Sequence, residues 1–163
     1  MTVQSQLPNL ATIKERQQKA WSTGHYGKVG AKLVLMGELV CEAVDLRPGQ
    51  RVLDVACGNG NTALAAARRY GEVVGVDYVP ELLQEGRERA RAEGLEVDFR
   101  EGDAEDLPFA DASFDVVLST LGTMFAPNQE KVAEELLRVL KSGARSGWPT
   151  GRRIALSGKC SRA

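Results

Sequence analysis

Along the chain, apolar and polar positions change rhythm near residue 50. Before that point, Leu33, Met36, Gly37, Val40 and Val44 recur at helical spacing and predict an amphipathic helix over roughly 31–45, with this stripe as core. Arg47-Pro48-Gly49-Gln50 is a turn that ends it. After it, short unbroken apolar runs alternate with amphipathic stretches. Arg51-Val-Leu-Asp-Val-Ala56 predicts a buried strand, and Cys57-Gly-Asn-Gly60 a tight turn. The Ala-rich stretch to about Arg69 predicts a helix capped by Asn61 or Thr62. Glu72-Val-Val-Gly-Val-Asp77 predicts a second buried strand. Pro80 opens a helix that runs to about Glu93, and Gly94 stops it. Val97–Gly102 and Phe114–Ser119 predict strands three and four. Gln129–Leu140 predicts a helix whose stripe is Val132, Ala133, Leu136, Leu137 and Leu140. Buried strands alternating with helices imply an α/β fold, a mostly parallel sheet with helices on both faces.

The ends are less regular. Met1 to about Thr12 is polar and reads as loose, and Ile13–Gly30 is mixed. Within it, Trp21, His25 and Tyr26 among small residues read as a loop carrying aromatics. The expected organisation is an N-terminal segment and helical lid over 1–30, a core over 31–141 and an atypical basic tail over 142–163.

Composition narrows the class. The 163 residues are 43% hydrophobic and 26% charged, the proportions of one ordinary globular domain. A net charge of −1 gives no footprint for nucleic acid or an anionic membrane, so neither is an expected partner. Apolar runs are too short to cross a bilayer and Met1–Ala20 lacks a signal-peptide core, so a cytoplasmic location is expected. Cys41, Cys57 and Cys160 form no CxxC pair, and neither a disulfide framework nor a metal site is expected.

The chemistry concentrates in Asp54-Val-Ala-Cys-Gly58-Asn-Gly60 and in Asp77, which lies 17 residues past Gly60. Glycines after a first strand let the backbone approach a ligand, and a carboxylate ending the second strand suits the hydroxyls of a ribose. Both lie at strand carboxyl ends, where open α/β sheets bind ligands, so a nucleoside-containing ligand is expected. Gly58-Asn-Gly60-Asn-Thr-Ala63 also fits the dinucleotide pattern G-x-G-x-x-A, which keeps a NAD-binding oxidoreductase as an alternative. Asp54 opposes it: a carboxylate ~7 Å from a pyrophosphate is repelled by about 2 kcal/mol per unit charge at an effective dielectric of 20. A sulfonium or ammonium gains from the same carboxylate, which favours S-adenosylmethionine.

At these residues the sequence resembles the class I S-adenosylmethionine-dependent methyltransferases, in the small-molecule group similar to quinone-biosynthesis enzymes. The matching pieces are Val52–Gly60, Gly75-Val-Asp77, Gly102-Asp-Ala-Glu-Asp-Leu-Pro-Phe109, Ser113–Ser119 and Leu136-Leu-Arg-Val-Leu140. The resemblance implies a doubly wound, Rossmann-like sheet with strand order 3-2-1-4 and methyl transfer to a small-molecule acceptor. It implies that Asp54, Ala56, Gly58 and Gly60 cradle the amino-acid moiety and that Asp77, with Tyr78 after it, holds the ribose. It further implies that Asp103 meets the adenine, with Ala104 alongside, and that Ser119 to Leu121 lie near the methionine end. Ala56 stands where many members have glycine. Trp21-Ser-Thr-Gly-His-Tyr26 resembles the family's lid, and its His25 and Tyr26 are candidates for acceptor or cofactor contact, with no catalytic residue assigned. Cys57 reads as a small packing residue.

The tail departs from the family. From Lys141 onward there are six basic residues and no acid, so residues 1–140 carry −7. The family continues with a fifth and further strands, whereas here Ile154-Ala-Leu156 is the only apolar run. Ser146–Ile154 can be encoded so that a shifted frame reads Ile-Gly-Leu-Ala-Asn-Trp-Thr-Pro-Asp, a strand followed by a turn. The expectation is a chain truncated or frameshifted after about residue 141, with an apolar edge exposed beside strand four. A non-catalytic cofactor-binding domain is therefore a second alternative.

Overall fold

The chain is described from a computed structural model that covers residues 9–24, 30–147, 149–150 and 153–154. Helix α1 (Leu10–Thr23) precedes α2 (Val34–Ala43) and strand β1 (Arg51–Val55). Then come α3 (Asn61–Ala67), β2 (Glu72–Asp77), α4 (Pro80–Glu93), β3 (Val97–Glu101) and β4 (Phe114–Leu118). A 3₁₀ turn (Thr123–Phe125), α5 (Gln129–Val139), β5 (Leu140–Gly147) and a short hairpin of β6 (Pro149–Thr150) and β7 (Arg153–Ile154) complete it.

The main sheet has the order β3-β2-β1-β4-β5, and all its pairs are parallel. The 3-2-1-4 order expected from the sequence is present. Leu53 of β1 pairs with Val74 of β2 and Val117 of β4, which puts the most apolar strands at the centre. Both faces are covered. Val40, Leu64, Leu83 and Phe99 fill one side beneath α2, α3 and α4, while Leu53, Val55, Phe114, Val117 and Leu136 fill the other beneath α5. Each such fully buried side chain is worth roughly 1.5–3 kcal/mol of transfer free energy, which explains why unbroken apolar runs became central strands.

Two elements depart from the sequence reading. The first is α1: a helical lid was expected in this segment, but the helix begins at Leu10, within the stretch read as loose, and its 14 residues include Trp21, read as part of a loop. Asn9 caps it, its Oδ1 accepting from the N–H groups of Ala11 and Thr12. No residue of α1 is fully buried, so there was little apolar stripe to read. The second is β5, which crosses the expected boundary at residue 141 and covers the edge of β4 that was expected to be exposed. Polar Lys141–Gly147 carries no strand pattern; β4's open main-chain groups recruit it instead. Its small residues fit where large ones could not: a Cβ at Gly147 would come within 2.6 Å of Val44. A bulge between Phe114 and Val116 absorbs the irregular register. No helix among the described residues is long and apolar enough to cross a membrane.

Candidate functional site

At the carboxyl ends of β1, β2 and β4 lies a cavity of about 410 Å³. Its floor begins with Asp77, 5% exposed at the end of β2. Asp77 Oδ2 accepts from Gly58 N–H at 2.8 Å and Oδ1 from Val79 N–H at 2.9 Å. One carboxylate thus joins the turn after β1 to the turn after β2. Burial pushes its pKa up, against the pull of those N–H donors. Gly58 adopts φ +55° and a Cβ there would meet nothing within 4 Å, so the turn leaves open space. Gly60 adopts φ +85° to start α3, and a Cβ on it would strike the Phe99 ring at 2.8 Å.

Asp54 stands behind this floor. It is 1% exposed, and its Oδ2 accepts from Ala63 N–H in the first turn of α3 at 2.9 Å. Burial, reinforced by the charge of Asp77, raises its pKa to about 8. Burial thus favours the neutral form of Asp54, and the carboxylates that line the cavity itself are Asp77, Asp103 and Glu105. Ala56 holds φ +53°, and Gly122 packs so tightly on it that a Cβ at 122 would lie 2.3 Å from the Ala56 carbonyl oxygen. A left-handed alanine costs about 1–2 kcal/mol, which accounts for glycine being the more comfortable residue there.

The roof is α1. Lys14 Nζ reaches Asp103 Oδ2 at 2.5 Å and Glu105 Oε2 at 2.7 Å. Burial alone would lower the Lys14 pKa; the two carboxylates raise it on balance. Gln18 Nε2 donates to the Tyr78 carbonyl at 2.5 Å, Gln17 Nε2 to the Phe125 carbonyl at 3.0 Å, and Trp21 packs on Phe125 with centroids 5.1 Å apart and ring planes tilted by 60°. The acidic turn 103–109 is fixed from beneath by buried Glu135, which accepts from Leu107 N–H, and by Arg138, which donates to the Leu107 and Phe109 carbonyls. Tyr78 lies between Asp77 and Asp103; burial first, then those two charges, push its phenol to about 12.

Of the residues singled out in the sequence, Ala56, Gly58, Asp77, Tyr78, Asp103 and Ala104 line the cavity. Asp54, Gly60 and Ser119 lie behind its wall; Ser119 Oγ pairs with Thr123 Oγ1 at 3.0 Å. His25 and Tyr26 lie outside the described residues. Leu33 and Met36, read as core, are only half-buried and line the cavity. Cys57 is a buried packing residue whose thiol is pushed up by burial, and its side also borders the cavity. The sequence reading missed Lys14, Gln18 and Phe125, whereas Thr120 and Leu121, from the stretch placed near the methionine end, do line the cavity. Asn9 before a run of helix formers was an available signal for the first two, whereas the contact of Lys14 with Asp103, 89 positions on, had none.

Comparison with known proteins agrees with this geometry. A family model described as "Methyltransferase domain" matches residues 52–143. An uncharacterized protein of Mycobacterium tuberculosis is 38% identical over 148 residues, covering 90% of this chain and 54% of that protein. A demethylmenaquinone methyltransferase of Thermus thermophilus is 44% identical over 108 residues, covering 63% and 49%. Among solved structures, the YcgJ protein of Bacillus subtilis (35% identical, TM-score 0.66) matches 69% of this chain and 49% of its own. The cyclase SpnF (33% identical, TM-score 0.67) matches 71% and 44%. The chain spans about half the length of the curated relatives it matches. With the turn after β1, the Asp77 floor and the acidic turn all inside the matched span, the chain belongs to the methyltransferase-domain family.

Proposed function

We propose that this chain binds S-adenosylmethionine in the cavity and belongs to an enzyme that transfers its methyl group to a small-molecule acceptor in the cytoplasm. The observation that carries the reading is Asp77: a buried carboxylate at a strand end, oriented by two backbone N–H groups, bordering a cavity that the Gly58 turn leaves open. It suits ribose hydroxyls, which donate to carboxylates and need a fixed acceptor. Gly58 and Ala56 would flank the amino-acid end, and Asp103 with Ala104 the adenine, where an exocyclic amine shares Asp103 with Lys14. S-adenosylmethionine, when bound, supplies an electrophilic methyl carbon on a sulfonium.

What the chain contributes is binding, orientation and exclusion of water. Asp77, Asp103 and Glu105 against Lys14 leave the cavity net acidic, which favours a cationic ligand. The Trp21–Phe125 pair closes the roof and offers aromatic faces to a cation. In-line transfer gains chiefly from position and desolvation, and the site has no need of a strong base for that. The cytoplasmic assignment leans on Cys41 and Cys57, which are buried and unpaired.

Calorimetric titration with S-adenosylmethionine, S-adenosylhomocysteine and NAD tests the cofactor. Binding of the first two without NAD is expected; tight NAD binding overturns the reading. A fold also shared with a cyclase makes binding alone insufficient for the reaction. Label from the S-adenosylmethionine methyl group must therefore appear in a small-molecule product.

A further inference from the structure

Behind the Cys57–Asn61 turn, on the side away from the cavity, lies a cation that the site described so far does not use. Arg89 of α4 directs a single nitrogen, Nη1, at three oxygens: Asn59 O at 2.8 Å, Asn59 Oδ1 at 3.1 Å and Asn61 Oδ1 at 2.9 Å. Both asparagines line the cavity, whereas Arg89 does not. An asparagine side chain has one accepting and one donating end. By taking both accepting ends, Arg89 turns both donating ends to fixed places. Asn61 Nδ2 donates to the Gly30 carbonyl at 2.8 Å, and Asn59 Nδ2 reaches Glu85 Oε2 at 3.4 Å. Gly30 is seated against these amides so closely that a Cβ on it would lie 3.1 Å from Asn59 Oδ1. Gly30 lies three residues before Leu33, the residue that caps α2, and its carbonyl accepts from the Leu33 N–H at 2.8 Å.

We propose that Arg89 is a positioning residue that shapes the cofactor turn and, through Asn61, pins Gly30, raising ligand affinity without touching the ligand. The proposal rests on the cavity being an S-adenosylmethionine site. Physically, three oxygen dipoles converge on one positive centre. Without it they face one another unsatisfied, both amides are free to turn over, and of its two donors the Gly30 carbonyl keeps only the Leu33 N–H.

The test uses the whole chain, titrated with S-adenosylhomocysteine and followed by amide hydrogen exchange. Arg89→Ala is expected to weaken binding at least about tenfold and to speed exchange at Gly58–Asn61 and at Gly30–Leu33, leaving β1 and β2 unchanged. Arg89→Lys, which again places several donors on one nitrogen, is expected to recover most of the affinity. Asn61→Asp keeps the acceptor facing Arg89 but removes the donor facing Gly30, so exchange should quicken at Gly30–Leu33 alone. Affinity of Arg89→Ala within about twofold of the parent overturns the proposal. Should Arg89→Ala fail to fold, Asn61→Asp decides, and unchanged exchange at Gly30–Leu33 overturns it. A parent chain that does not bind S-adenosylhomocysteine sinks the cofactor reading instead, and Arg89 is then judged on exchange in the ligand-free protein: unchanged exchange in Arg89→Ala overturns its role.

Discussion

The floor and the roof of the cavity are built from different physics. The floor consists of strand ends and turns whose amides are consumed by buried carboxylates, with Asp54 and Asp77 1% and 5% exposed. The roof is a helix with no fully buried residue, held by Lys14, two glutamines and a ring stack. Partly exposed ion pairs contribute about 0–1 kcal/mol each, and a tilted ring pair about 0.5–1.5 kcal/mol beyond its burial. The floor therefore shares the stability of the whole domain, and the roof opens well below global unfolding. Opening of the roof in this way would leave the groups of the floor undisturbed.

Removing the floor's central group is expected to have the largest effect. Asp77→Ala strands the N–H groups of Gly58 and Val79 and should cost about 2–3 kcal/mol in urea unfolding, with S-adenosylhomocysteine binding abolished. Loss of affinity without loss of stability would show that the two turns do not depend on this carboxylate.

The pH dependence of the floor comes next. Asp54 is held at about 8 by burial, against an ordinary 3.8. Between those values the unfolded chain gives up a proton that the folded chain keeps. Stability from this group is complete below about pH 4 and declines as pH rises toward 8, by at most about 1.4 kcal/mol per pH unit. Asp77, raised in the same direction, steepens the decline. Urea midpoints measured from pH 5 to 9 should fall with pH, and Asp54→Asn should flatten the curve. A parent curve already flat across that range contradicts a neutral Asp54.

The smallest effect belongs to the roof. Lys14→Ala should change global stability by less than about 1 kcal/mol while accelerating hydrogen exchange throughout α1. If α1 exchanges only when the whole domain unfolds, the contrast between roof and floor is wrong.

The same contrast governs what could be read in the sequence. Val52, Leu53, Val74, Val76 and Val117 are buried on both sides of a sheet, so each local run carried its own fate. The turn at Gly58 and the carboxylate of Asp77 followed from that frame. By contrast, α1 is decided by one cap and by contacts with residues about ninety positions away, and β5 by a vacant edge that it fills. Arg89 was equally invisible: on a polar helix face it is one of several arginines until α4 folds over the loop. The environment of Asp54 was not legible either, because its burial, which raises its pKa, depends on α3 closing above it.

Among the described residues, β5 is the outermost strand on its side of the main sheet, and an outermost strand offers its backbone to any second copy that arrives in register. Lys141, near the start of that strand, pairs with Asp115 of β4 at 2.7 Å, so a charge pair as well as main-chain bonding ties β5 to its neighbour. A partly exposed pair of this kind acts over a Debye length of about 10 Å at 0.1 M ionic strength and about 3 Å at 1 M, so concentrated salt loosens the join between the last strand and the sheet.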